Sequence, residues 1–75
     1  MTKEETLTSF LIENQARSYR LAYSVLHDRE DALDAVQTAV CRALERQDGL
    51  RDPGAVKTWF TCILMNACTD ILRRR

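Results

Sequence analysis

Apolar residues recur along this chain at three- and four-residue steps, the spacing of one helical face, and three such stripes can be traced. The first runs through Leu7, Phe10, Leu11, Leu21, Ala22, Val25 and Leu26, with Asn14 and Ser18 in its middle. It predicts a helix that starts with a capping box at Thr2 and Glu5, or alternatively at Thr6, and ends near His27. The polar pair admits a bend, a patch left for a partner or a partly wet stripe, and the wet stripe is the preferred expectation. The second stripe is more regular: Ala32, Ala35, Val36, Ala39, Val40, Ala43 and Leu44 form the inner face of a helix opening at Asp28 or Arg29. Asp28, Glu30 and Asp31 place negative charge against its N-terminal dipole. The alanines predict close approach of neighbouring backbones, and Leu33, Asp34, Gln37 and Cys41 fall on the outer face.

Residues 47 to 55 hold both glycines and the lone proline, and predict a loop. Asp52 before Pro53 has the form of an N-cap followed by a first helical position. The third stripe, Val56, Trp59, Phe60, Ile63, Leu64, Ala67 and Ile71, then runs to Arg73, Arg74 and Arg75, cations suited to a helix C-terminus. The expected architecture is all-α, a small three-helix bundle in one domain. Seventy-five residues with 45% hydrophobic content suffice for one core and not for a second.

Formal net charge is zero, which speaks against an indiscriminate polyanion binder, but the charge is unevenly spread. Residues 1 to 38 carry four basic against seven acidic side chains, and residues 39 to 75 carry seven against four. Two readings stay open: an acidic face for one partner with a basic face for a polyanion, or ordinary surface variation in a short chain.

Chemistry at a catalytic centre finds little to work with. His27 is the only histidine and lies at an expected helix end, so no nucleophile has a base and an orienting group. Glu30, Asp31 and Asp34 are accounted for by the helix dipole without a cation. Cys41, Cys62 and Cys68 form no C-x-x-C pair and no zinc spacing, so neither metal nor cofactor is expected. The odd cysteine count and a start lacking an apolar signal core predict a reduced, cytoplasmic protein, and no apolar run reaches the length of a membrane span. The chain therefore reads as a binding domain.

Two motifs carry more. Asp31-Ala32-Leu33-Asp34-Ala35-Val36-Gln37 follows the spacing D-A-x-D-x-x-Q. Trp59-Phe60, Ile63, Asn66, Asp70 and Arg73 follow W-[LF]-x-x-I-x-x-N-x-x-x-D-x-x-R. In this order, separated by one turn and ending in an arginine run, they resemble region 2 of bacterial RNA polymerase sigma factors of the extracytoplasmic-function group, over roughly residues 7 to 75. The resemblance implies that the second helix docks core RNA polymerase, on the clamp coiled coil of its largest subunit, through Asp31, Leu33, Asp34 and Gln37. It implies that the loop and third helix recognise and melt the promoter −10 element as single-stranded non-template DNA. Asn66 would then meet a flipped base, Leu50 and Ile63 would wall its pocket, and Arg73 and Arg74 would hold phosphates on a track extended by Arg51 and Lys57. An anti-sigma inhibitor is a further partner that the resemblance allows.

Leu33 and Thr38 stand where family members more often carry glutamate, and Ala35 where a larger aliphatic is usual. Members also continue into a linker and a second helical domain, so this chain is expected to be a fragment of a longer protein. Without the resemblance, the residues leave other readings open. Trp59 and Phe60 at helical spacing suit a core, Asn66 suits a bridge within the bundle, and an arginine run suits a solvated tail. A helix-turn-helix reader of duplex DNA and an adaptor for protein partners alone are the rival functions.

Overall fold

The computed structural model describes residues 2 to 75. Its elements in chain order are α1 (Lys3–Glu13), α2 (Gln15–Leu26), α3 (Arg29–Glu45), two 3-10 turns (Gln47–Gly49 and Pro53–Ala55) and α4 (Val56–Arg74). The all-α fold is as expected, but the first of the three expected helices divides at Asn14. The backbone N–H of Asn14 and its side-chain Nδ2 both donate to the Phe10 carbonyl, at 3.0 and 2.9 Å. The side chain thus shares an acceptor that the backbone N–H already uses, a local bond of the kind that bends helices, and the Asn14 backbone leaves the helical region at φ -109° and ψ 16°. The expectation of a wet stripe therefore fails: the polar middle is a bend, and Ser18 beyond it is buried at 7% exposure.

The ends of the helices follow local chemistry. Thr2 accepts from the N–H of Glu5 and donates its hydroxyl to the Glu5 carboxylate, each at 3.1 Å. Asp28 caps α3 by accepting from Asp31 N–H at 2.9 Å. α2 ends where His27 adopts a left-handed conformation with φ 54°, its N–H returning to the Tyr23 carbonyl. Asp52 caps the 3-10 turn that begins at Pro53, accepting from Gly54 N–H at 2.9 Å, and α4 follows without interruption.

One apolar core joins the four helices. Leu7 and Leu11 of α1, Ala22 and Leu26 of α2, and Ala32, Ala35, Ala39 and Ala43 of α3 pack with Phe60, Ile63, Leu64, Ala67, Cys68 and Ile71 of α4. The alanine face lets α3 lie closely along α4 as its antiparallel neighbour, with Arg42 and Asp70 joined at 3.0 Å across the pair. Phe10 meets Phe60 edge to face, ring centres 6.1 Å apart, which anchors α1 on α4. Trp59 is half-buried against this core, as its spacing suggests. Leu44 departs from the expected inner face: it is 37% exposed at the last turn of α3, beyond the buried alanines. Among the described residues, no helix is long and apolar enough to cross a membrane.

Candidate functional site

Because the alanine face of α3 is turned inward, the opposite face is presented outward. Leu33 is 46% exposed, Asp34 and Gln37 are exposed, and Asp31 is half-buried. These are the four residues nominated for polymerase docking, and one helix holds them together. Gln37 and Asp34 also border a shallow surface depression of about 420 Å³ that reaches Cys41 and Glu45. On its other side, Gln37 borders an apolar groove of about 480 Å³ walled by Leu11, Ile12, Val36, Val40 and Leu44. That groove opens where α1 turns into α2, so it depends on the bend at Asn14, which the stripe pattern left undecided.

The nominated DNA residues are brought together only in part. Asn66 and Arg73 are exposed and seven positions apart on α4, about two turns, so they share a face. The Asn66 amide makes no hydrogen bond among the described residues, which disfavours the bridging alternative. Lys57 lies nine positions before Asn66, about two and a half turns, and so falls on the opposite side of α4. There it borders a small cleft together with Arg17 of α2. Arg51 is exposed in the loop.

Three nominated contributions differ from expectation. Leu50 and Ile63 are 2% and 8% exposed, so in this structure they are packed inside and offer no wall to a base. Ile63 points into the core because it shares the buried face of α4 with Phe60, Leu64 and Ala67. Arg74 is not a free phosphate ligand here: its Nη2 lies 3.3 Å from the Asp34 carboxylate on α3. Next to it Arg75 lies 2.7 Å from the Asp31 carboxylate and donates to the Leu26 carbonyl at 2.9 Å. With Arg42–Asp70, these pairs form a row of three ionic contacts between α3 and α4. Arg73 has no ion-pair partner among the described residues.

The row escaped the sequence because opposite charges far apart in the chain become partners only once helix register is known. The available signal was a single glycine- and proline-bearing loop joining two amphipathic helices. Such a connection allows them to lie antiparallel, which pairs the start of α3 with the end of α4.

Of the three thiols, Cys41 and Cys62 are exposed and Cys68 is buried. Burial pushes the Cys68 thiol above its ordinary pKa, a hydrogen bond to its backbone partly opposing the shift. No grouping suited to a metal ion occurs among the described residues.

The Sigma-70 region 2 family model matches residues 11 to 75. The chain is 34% identical over 79 residues to the RNA polymerase sigma factor SigV of Bacillus subtilis, an alignment spanning all of this chain and 48% of that protein. It is 41% identical over 56 residues to the ECF RNA polymerase sigma factor SigM of Mycobacterium tuberculosis, spanning 75% of this chain and 29% of the relative. The chain thus spans about half the length, or less, of the curated relatives it matches. No solved structure matches it significantly. With the family model reaching from Leu11 through the arginine run, and both motif helices inside the match, the chain belongs to the sigma-70 region 2 family, as a domain of the extracytoplasmic-function kind.

Proposed function

We propose that this domain serves transcription initiation in the cytoplasm by binding core RNA polymerase through the outer face of α3, and by engaging the promoter −10 element through α4 and its preceding loop. The observation that carries the first half is the exposure of Asp34 and Gln37 on a helix whose alanine face is buried in the core. A carboxylate suits a basic partner helix, and an amide fixes register through its paired donor and acceptor. The shared face of Asn66 and Arg73 supports the second half. An unbonded amide offers the donor and acceptor that a base edge requires, and an unpaired guanidinium two turns further along the same face offers a phosphate contact. With Leu50 and Ile63 packed inside, a base pocket on the clamp-bound domain requires movement of the loop between α3 and α4.

Titrating fluorescently labelled domain with core RNA polymerase tests the reading. Saturable binding that a full-length sigma factor of the same kind displaces supports it. Failure to bind, or binding indifferent to that competitor, overturns it. Exposed Leu33, standing where family members more often carry glutamate, favours a second protein partner on the same face, an anti-sigma inhibitor that would compete with polymerase.

A further inference from the structure

The row of ionic contacts does more than brace two helices, because two of its carboxylates are the ones assigned above to polymerase. Asp34 receives Arg74, and Asp31 receives Arg75, which is held in place by a further bond to the Leu26 carbonyl at the end of α2. A basic partner helix and the chain's own C-terminal arginines therefore want the same acceptors. We propose that Arg74 and Arg75 form an internal mask over the acidic docking face, displaced by the basic surface of the polymerase when it binds. The proposal rests on the docking reading above and adds a competitor to it.

The physical case is one of exchange. Asp34 and Arg74 retain 53% and 68% of their side-chain exposure, so their pair is weak and readily opened. Asp31 and Arg75 are less exposed, at 37% and 43%, and Arg75 has two acceptors, so this half of the mask is the firmer one. A ligand that must first displace an intramolecular partner has its apparent affinity reduced to the fraction of time the face is uncovered. Exchange also preserves charge pairing: each carboxylate passes from one guanidinium or ammonium group to another, and the released arginines turn to solvent.

The test compares core RNA polymerase binding of the chain with that of Arg74→Ala/Arg75→Ala. Arg17→Ala/Arg20→Ala serves as the control, since it removes the same charge from exposed α2 positions that have no ion pair among the described residues. The mask predicts that the Arg74/Arg75 variant binds about three- to tenfold tighter near 50 mM salt, with the gain shrinking as salt rises. The control should gain nothing comparable. On an Asp31→Asn/Asp34→Asn background, the arginine substitutions should have no effect. Equal tightening by the control, or no tightening by the Arg74/Arg75 variant, overturns the mask. Should the alanine variant lose its fold by circular dichroism, Arg74→Gln/Arg75→Gln replaces it, because glutamine removes the charge while keeping a donor for the Leu26 carbonyl. The docking reading fails separately, if Asp31→Asn/Asp34→Asn binds polymerase as tightly as the unaltered chain.

Discussion

Arg74 Nη2 sits 3.3 Å from Asp34 Oδ2, joining the last turn of α4 to the outward face of α3. The basic segment nominated for promoter phosphates and the acidic face nominated for polymerase are thus in direct contact. Neither surface is electrostatically independent of the other. The uneven charge of the chain, acidic early and basic late, is folded back on itself at this point.

Replacing Asp34 and Gln37 together addresses the docking face. In Asp34→Arg/Gln37→Ala, both changes fall on exposed positions and leave the alanine face of α3 intact, so far-ultraviolet circular dichroism should be unchanged. Core polymerase binding should fall by more than about tenfold, since a like charge then meets a basic partner. The introduced guanidinium would also face Arg74, a like-charge approach expected to cost only about a few tenths of a kcal/mol at this exposure. A variant that binds normally removes α3 from the interface, and one that unfolds makes the two side chains structural.

Asn66 and Arg73 separate reading a strand from holding it. Asn66→Ala should weaken the preferred oligonucleotide by about 1–3 kcal/mol and leave other sequences nearly untouched. Arg73→Ala should weaken every sequence alike and flatten the log-affinity against log-salt slope by about 0.7, the value for one phosphate no longer neutralised on a single strand. A panel of oligonucleotides titrated at several salt concentrations distinguishes them. Uniform weakening by Asn66→Ala contradicts its assignment to a base, and an unaltered slope in Arg73→Ala leaves that arginine a solvated side chain.

The parts of the fold readable from sequence were those governed by neighbours three and four positions away. The alanine face of α3, the buried face of α4 and the Asp52-Pro53 cap all follow from such local spacing. The bend at Asn14 was not readable, because a polar residue in an apolar stripe is compatible with solvent exposure or with a break. What distinguishes them is the Asn14 backbone, which leaves the helical region at φ -109° and ψ 16° while its side chain bonds back to the Phe10 carbonyl. Ile63 shows the matching limit at the site: one residue at one helical spacing serves equally as core or as the wall of a pocket. Packing against Phe60, Leu64 and Ala67 settles it as core in this structure. The arginines needed the register between α3 and α4, a tertiary quantity that no local pattern contains.

Thiol reactivity should follow burial. Cys41 and Cys62 are exposed, and a thiol-specific chromophore should modify both at neutral pH while Cys68, at 0% exposure, waits for unfolding. Burial raises the pKa of Cys68 in the folded state. The unfolded chain therefore releases that proton first as pH rises, and stability present below the ordinary thiol range should be progressively lost above it. Cys68→Ala should remove this alkaline loss from a series of denaturation midpoints, at a fixed cost from the smaller side chain. Fast labelling of Cys68 in the folded domain would contradict its burial.

The strand state of the nucleic acid discriminates most sharply between the proposed function and its helix-turn-helix rival. A helix that reads duplex DNA in the major groove needs a row of polar side chains on an outward face near its N-terminus. Up to Ala67, half of the residues of α4 pack in or against the core, and its unbonded amide, Asn66, lies past the midpoint of the helix. Meeting a flipped base from a duplex costs about a few kcal/mol of unstacking and unpairing, whereas a single strand has already lost its pairing. The domain should therefore bind a single-stranded non-template oligonucleotide carrying the −10 element more tightly than the same sequence as a duplex, and a mismatched bubble should approach the single strand. Fluorescence anisotropy at matched salt measures the three ligands directly. Tighter binding to the intact duplex would move the contact to the major groove and end the base-flipping assignment of Asn66. Equal and weak binding to all three would leave α3 as the working surface of this domain.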